Sequence, residues 1–215
     1  MGMMRQAIQG EPAPDATRLN PRFRYLRVTV DGRVSFLALG NLENENDPRG
    51  PVEVWYSARK EVLRLRNGRL VGAVGVFTEW RDVSLPAFPA WSEISRSRES
   101  HRWVRTRDVM PGYRYGVRDT LELRPVSPPE RTALVGRDPT GLTWFEERSR
   151  VEPPSGMLAS LVSGTHDVQA LPPARYAVEI RDGREKVVYG EQCLSAEFCF
   201  TWQRWTVAPR NDKKK

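Results

Sequence analysis

From Phe23 onward, apolar and polar residues alternate with a period of two, and pairs of turn residues interrupt the alternation. In FRYLRVTVDGRVSFLALG (23–40), Asp31-Gly32 separates two such runs. Both residues tolerate positive φ, as a two-residue hairpin loop requires. Pairing across that turn sets Leu26 against Leu37 and Val28 against Ser35. One face then collects Leu26, Val28, Val30, Leu37 and Leu39 and points inward. The other carries Arg27 and Thr29 beside Tyr25 and Phe36. A second hairpin is predicted at Asn67-Gly68 in LRLRNGRLVGAVGV (63–76), pairing Leu65 with Leu70 and Arg66 with Arg69. A third is predicted at Asp182-Gly183 in RYAVEIRDGREKVVYG, with Val178 opposite Val187, Tyr176 opposite Tyr189 and Glu179 opposite Lys186. Aromatic and opposite-charge pairs of this kind help to fix register.

Further strands are predicted in VEVWYSA, RWVRTRDV, YRYGVRDTLELRPV, RTALVG, LTWFEERSRVEP and CFTWQRWTV, with Pro111-Gly112, SPPE and DPTG as turns or loops. Pro86 and Pro89 exclude a central strand from SLPAFPAWSEISRSRES, which has room for a short helical turn. The best longer helical candidate is 156–162, and no segment reads as an amphipathic helix of more than three turns. The chain is therefore predicted to be all-β, with about ten strands in a large antiparallel meander. A meander of that length curls into a barrel, a partial barrel or a sandwich. Residues 1–20, poor in large apolar side chains, read as an N-terminal tether, 21–209 as a single β domain and 210–215 as a charged tail.

Composition changes this picture little. The 215 residues are enough for a real core, and no run approaches the about 20 apolar residues of a membrane-spanning helix. Behind Met1 there is no apolar signal-peptide core, so the chain is either cytosolic or shown without its signal. The net charge of +7 comes from 29 Arg against 5 Lys, three of them the terminal Lys213, Lys214 and Lys215. Arginine suits bidentate contact with carboxylate or phosphate, but 27 acidic residues are interspersed with the basic ones. The opposed Arg66 and Arg69 are mildly destabilising as neighbours. Either they splay into water, or the hairpin meets something anionic. With Leu63, Leu65 and Leu70 taken as the core side, Arg64, Arg66 and Arg69 share the exposed side, with Val71 opposite Arg64. These three arginines are the candidate polyanion or partner contact.

Catalytic motifs are missing. His101 and His166 each lack a nearby Cys or His, and no HExxH, GxSxG or phosphate loop occurs. GAVGV is followed by no helix. Glu146 and Glu147 are adjacent and point to opposite faces of a strand, so a glycosidase pair would need a partner such as Glu79 or Asp82. Trp55, Trp80, Trp91, Trp103 and Trp144 read as core or core edge, and Trp202 and Trp205 fall on opposite faces of their strand. No cofactor, metal or catalytic residue is assigned. Cys193 and Cys199 are spaced neither as a CxxC motif nor as a zinc site, which leaves a small disulfide loop and two free thiols equally open.

Several blocks together resemble the YjbF/GfcB family of capsule and exopolysaccharide lipoproteins. YLRVTVDGRVSFLALGNLE is similar to its strand ending in an LxLG-like block. Trp55 with Ser57 and Ala58 is similar to its W-x-S/A strand. Gly68, Arg69, Leu70, Val71, Ala73 and Gly75 resemble its Gly-Arg-Leu hairpin. RDVMPGYRYGVRDT resembles the middle section. Tyr176, Gly183 and Gln192 match the closing strand pair, while Ala177 and Gly190 stand where Trp and Ser are usual.

The resemblance spans roughly residues 5–207. It implies a sheet bent into an incomplete, half barrel and a non-enzymatic, periplasm-facing outer-membrane lipoprotein accessory to polysaccharide secretion. It also implies an N-terminal lipid on a cysteine absent from this sequence, and acidic polysaccharide or polysaccharide-export proteins as partners, with no specific nucleic acid. The periplasmic setting implied by the resemblance favours a Cys193–Cys199 disulfide. Two other readings compete with it: a polysaccharide hydrolase, and a cytosolic basic β-barrel that binds nucleic acid.

Overall fold

Twelve strands make up most of the structure, a computed structural model that describes residues 15–97, 99–152 and 169–207. They are β1 (Tyr25–Val30), β2 (Arg33–Glu43), β3 (Val52–Tyr56), β4 (Val62–Arg66), β5 (Arg69–Val74) and β6 (Glu79–Ser84), then β7 (His101–Met110), β8 (Arg114–Val126), β9 (Thr143–Val151), β10 (Ala174–Arg181), β11 (Arg184–Cys193) and β12 (Cys199–Trp205). One α-helix, α1 (Trp91–Ser97), lies between β6 and β7. The helical candidate at 156–162, His166, most of the tether and the charged tail lie outside the described residues.

Every strand pairs antiparallel with its sequence neighbour, and β1 pairs with β12 from Tyr25↔Trp205 to Thr29↔Thr201. The ring is closed, which corrects the expected half barrel. Two features hid the closure. The β6 segment EWRDVS is too polar to read as a strand, yet it links β5 to β7. The closing ladder joins the two ends of the domain, which no local pattern reveals. The β5–β6 seam is narrow, with Ala73↔Trp80 as its paired position.

The three hairpin turns lie where the sequence predicts, with positive φ at both loop residues: Asp31 and Gly32, Asn67 and Gly68, Asp182 and Gly183. Leu26↔Leu37, Leu65↔Leu70, Arg66↔Arg69 and Val178↔Val187 pair as expected. Two β-bulges alter the rest. One, between Arg64 and Leu65, sets Gly72 rather than Val71 opposite Arg64. The other, between Ala177 and Val178, sets Tyr176 opposite Gly190 and Tyr189 opposite Ala177. An extra residue flips the side chains beyond it to the other face. Tyr176 therefore joins the main core with Phe145 and Trp202, while Tyr189 joins a separate cluster with Trp144, Ala177 and Val188. Gly190 is covered by Trp202, and a Cβ there would lie 2.6 Å from the indole nitrogen.

The main core draws on most strands and includes Leu26, Trp55, Leu65, Leu70, Trp80, Leu123, Phe145 and Trp202. Trp55, Trp80, Trp144 and Trp202 are each about 1% exposed or less. Burying one such ring contributes roughly 4–6 kcal/mol of gross transfer free energy before entropy is counted. Residues 131–136, expected as a strand, form a loop instead. Gln203 takes the place of a strand neighbour, accepting from Val135 N at 2.9 Å and donating to Val135 O at 2.7 Å.

In a meander, the turns alternate between the two ends of the barrel. Asp31-Gly32 and the β3–β4, β5–β6, β7–β8 and β11–β12 turns share one end. Asn67-Gly68, α1, Asp182-Gly183 and the lead-in to β1 share the other, called the mouth below.

Candidate functional site

The β4–β5 hairpin ends at the mouth, and both of its faces are covered. Leu65 and Leu70 enter the main core. On the other face, Val71 packs with Val52, Val54, Leu85 and Leu121. Gln192 clamps the tip, accepting from Leu70 N at 2.9 Å and donating to Gly68 O at 3.2 Å.

The arginines of this hairpin are consequently not the exposed side that the sequence suggests. Arg69 is 2% exposed and Arg66 is 8%. The usual inference, one apolar face in and one polar face out, fails because the 85–91 segment and Trp103 cover the second face. Each arginine has an acidic partner. Arg64 pairs with Glu43 at 2.8 Å, Arg66 with Asp47 at 3.3 Å and Arg69 with Glu147 at 3.3 Å. Arg49 also binds Asp47, and its hydrogen bonds hold that carboxyl well below the ordinary carboxylate range. The Arg69 guanidinium lies 4.0 Å from the ring centres of both Phe88 and Trp91, so cation–π attraction adds to the ion pair. Of the three, Arg64 alone retains substantial exposure.

Glu147 also accepts a hydrogen bond from the Tyr176 hydroxyl at 3.2 Å. Burial, reinforced by the Glu147 charge, pushes the Tyr176 hydroxyl well above its ordinary value, so it stays a donor. Nearby, Asp119 is fully buried between Arg105 and Arg107, at 2.7 and 2.6 Å, and both guanidinium groups lie over the Trp80 ring. Burial alone would raise the Asp119 carboxyl. The hydrogen bond from Arg107 and the charge of Arg105 outweigh it and hold the group low. These charged groups are buried against one another in ion pairs, so they tie the strands together and present no free acid or base to a substrate.

The adjacent Glu146 and Glu147 do point to opposite faces. Glu146 meets Arg124 and Arg148, at 3.2 and 2.9 Å. Glu79 is held by Gly75 N and Arg81, so it offers Glu147 no second carboxylate. His101, at the start of β7, contacts the Ser97 hydroxyl at the end of α1 at 3.0 Å. Among the described residues no group of His, Cys, Asp and Glu could hold a metal ion. The Cys193 and Cys199 sulfurs are joined at 2.04 Å across directly opposed positions of β11 and β12.

The site that remains is a groove of about 390 Å³ at the mouth, lined by Arg24, Glu53, Asn67, Trp91, Glu185, Lys186, Val187 and Arg204. Its size is at the lower end of the range of clefts that hold small ligands, about 300–1,000 Å³. Five elements supply it: the lead-in to β1, β3, the β4–β5 tip, α1 and the β11–β12 pair. Glu53 is shared by Arg204 at 2.8 Å and Arg24 at 3.2 Å. Glu185 accepts from the backbone N–H groups of Trp91 and Ser92, at 3.0 and 2.9 Å. Glu179 faces Lys186 in the register but takes its ion pairs from Arg137 and Arg181.

Sequence reasoning placed Asn67 at a tip and Lys186 in a ladder pair, but it did not bring them together with Arg24 and Arg204. These residues lie far apart along the chain, and only barrel closure makes them neighbours.

Comparison with known proteins bears on the whole fold. The family model described as "Group 4 capsule polysaccharide lipoprotein gfcB, YjbF" matches residues 12–156. The crystal structure of the hypothetical lipoprotein YmcC from Escherichia coli (K12) superposes with a TM-score of 0.61 at 17% identity, covering 86% of this chain and 87% of that one. At that identity the likeness concerns the fold. No curated protein matches the sequence significantly.

Proposed function

We propose that this chain, which belongs to the YjbF family of group 4 capsule polysaccharide lipoproteins, is a non-enzymatic accessory of capsule or exopolysaccharide secretion. It faces the periplasm, attached to the outer membrane through an N-terminal lipid, and acts by holding polysaccharide or an export protein. The observation that carries this reading is the allocation of its buried charge. Among the described residues, Glu147 and Asp119 are engaged by the buried Arg69, Arg105 and Arg107. The two carboxylates of the open groove, Glu53 and Glu185, are taken up by Arg24 with Arg204 and by the first turn of α1, so neither is held as a free acid or base for glycosidic bond cleavage. What stays open is a cation-rich groove, which suits binding.

Deletion of the gene tests the reading. The expected result is less polysaccharide at the cell surface and in the medium, with intracellular synthesis and polymer chain length unchanged. Normal export in the deletion strain, or altered chain length, would overturn it.

A further inference from the structure

We infer that the groove at the mouth binds a carboxylate-bearing sugar residue of an acidic polysaccharide, with Lys186 as the principal anion contact and Arg24 as the second. The inference rests on the secretory reading above and names the ligand class for it. Three cations, Arg24, Lys186 and Arg204, line the groove with two carboxylates. Both carboxylates are occupied: Glu53 bridges Arg24 and Arg204, and Glu185 caps the first turn of α1.

Among the described residues Lys186 makes no ion pair, although Glu179 sits opposite it in the ladder and the Glu53 charge acts on it from across the groove. Partial burial and the neighbouring charges of Arg204 and Arg24 pull the ammonium below its ordinary value. An arriving carboxylate would offset both effects and accept a charge-assisted hydrogen bond.

The surroundings favour a sugar over a flat protein surface. The groove is a cleft whose lining includes the apolar residues Val187 and Trp91. Asn67 also lines the groove, its amide fixed by donation to Arg49 O at 3.0 Å, and it adds an uncharged polar side chain to the cations. Arg204 is held by Val187 O at 2.7 Å as well as by Glu53, so that wall is preorganised. Arg24 is more exposed than Arg204 and has guanidinium nitrogens to spare.

The test uses the purified protein and three polymer probes at low salt: alginate (a polyuronate), dextran (a neutral glycan) and polyaspartate. Alginate binding that weakens with added salt, without dextran binding, is expected. Lys186→Gln should weaken it about tenfold or more, the worth of one hydrogen bond to a charged group. Lys60→Gln removes the same charge from the other end of the barrel and should leave the affinity unchanged. Equal loss in both variants, or no loss in Lys186→Gln, would overturn the assignment. Binding of polyaspartate without alginate would overturn it in favour of an acidic protein partner. Absence of all binding would overturn the ligand class while leaving the export phenotype of the deletion strain to stand on its own.

Discussion

Arg69 Nε donates to Glu147 Oε2 at 3.3 Å, joining β5 to β9 across 78 residues of sequence, and both side chains are at least 95% buried. The pair explains how Arg66 and Arg69 stand opposite each other at one hairpin tip. Each is drawn to a different carboxylate, Arg66 to Asp47 and Arg69 to Glu147. Removing one member of a buried pair leaves the other charge uncompensated, at a cost of about 3–5 kcal/mol. Arg69→Met should lower the urea unfolding free energy by that amount. Adding Glu147→Gln, which keeps an acceptor for Tyr176, should restore part of the loss. A double variant less stable than the single one would show that the charge is not the cause.

Glycines at equivalent turn positions should differ in their tolerance of side chains. Gly68 and Gly32 both have φ near +80°, at +80° and +76°. A Cβ at Gly68 would lie 2.5 Å from Val187, whereas one at Gly32 would have nothing within 4 Å. Gly32→Ala should cost about 1–2 kcal/mol, the backbone penalty alone. Gly68→Ala should cost clearly more, and Gly68→Val more again. Equal melting temperatures for Gly32→Ala and Gly68→Ala would contradict the close packing of the hairpin tip on β11.

The hairpins were legible because Asp-Gly and Asn-Gly are strong local signals and period-two patterns fix register near a turn. The bulges were not, because one inserted residue leaves the apolar composition of a strand intact. Tyr176 and Tyr189 were expected on one face for that reason. The arginine face was misjudged because amphipathicity says nothing about a second layer, here Phe88, Trp91 and Trp103. Gln192 was visible as a matching position in the closing strand pair. Its use as the clamp on Gly68 and Leu70 required the closed ring.

Asp119 ties stability to acid pH. Its folded value is held below the ordinary 3.8 by Arg107 and Arg105. The unfolded state therefore binds the proton more tightly, and stability rises with pH through this window. The contribution is fully present above the unfolded value and is lost as pH falls through the folded one. Asp119→Asn should be less stable at pH 7 and should lose less stability than the parent between pH 5 and about pH 2. Parallel acid curves for the two proteins would count against the assignment.

The Cys193–Cys199 link closes a short loop between β11 and β12. Protein made in an oxidising compartment should carry no alkylatable thiol by mass spectrometry before reduction. Cys193→Ala with Cys199→Ala should cost about 2 kcal/mol from the lost loop constraint. Two free thiols in such protein would remove the disulfide from the account.

The central claim, that this barrel holds an acidic polysaccharide without cutting it, is tested most directly by light scattering on size-fractionated mixtures of the purified protein with the polysaccharide exported by its own host. The molar mass of the polymer peak should rise by the mass of bound protein at low salt and return to its starting value at high salt. A fall in polymer mass would identify an enzyme, and a peak unchanged at low salt would show that the protein does not hold the polymer.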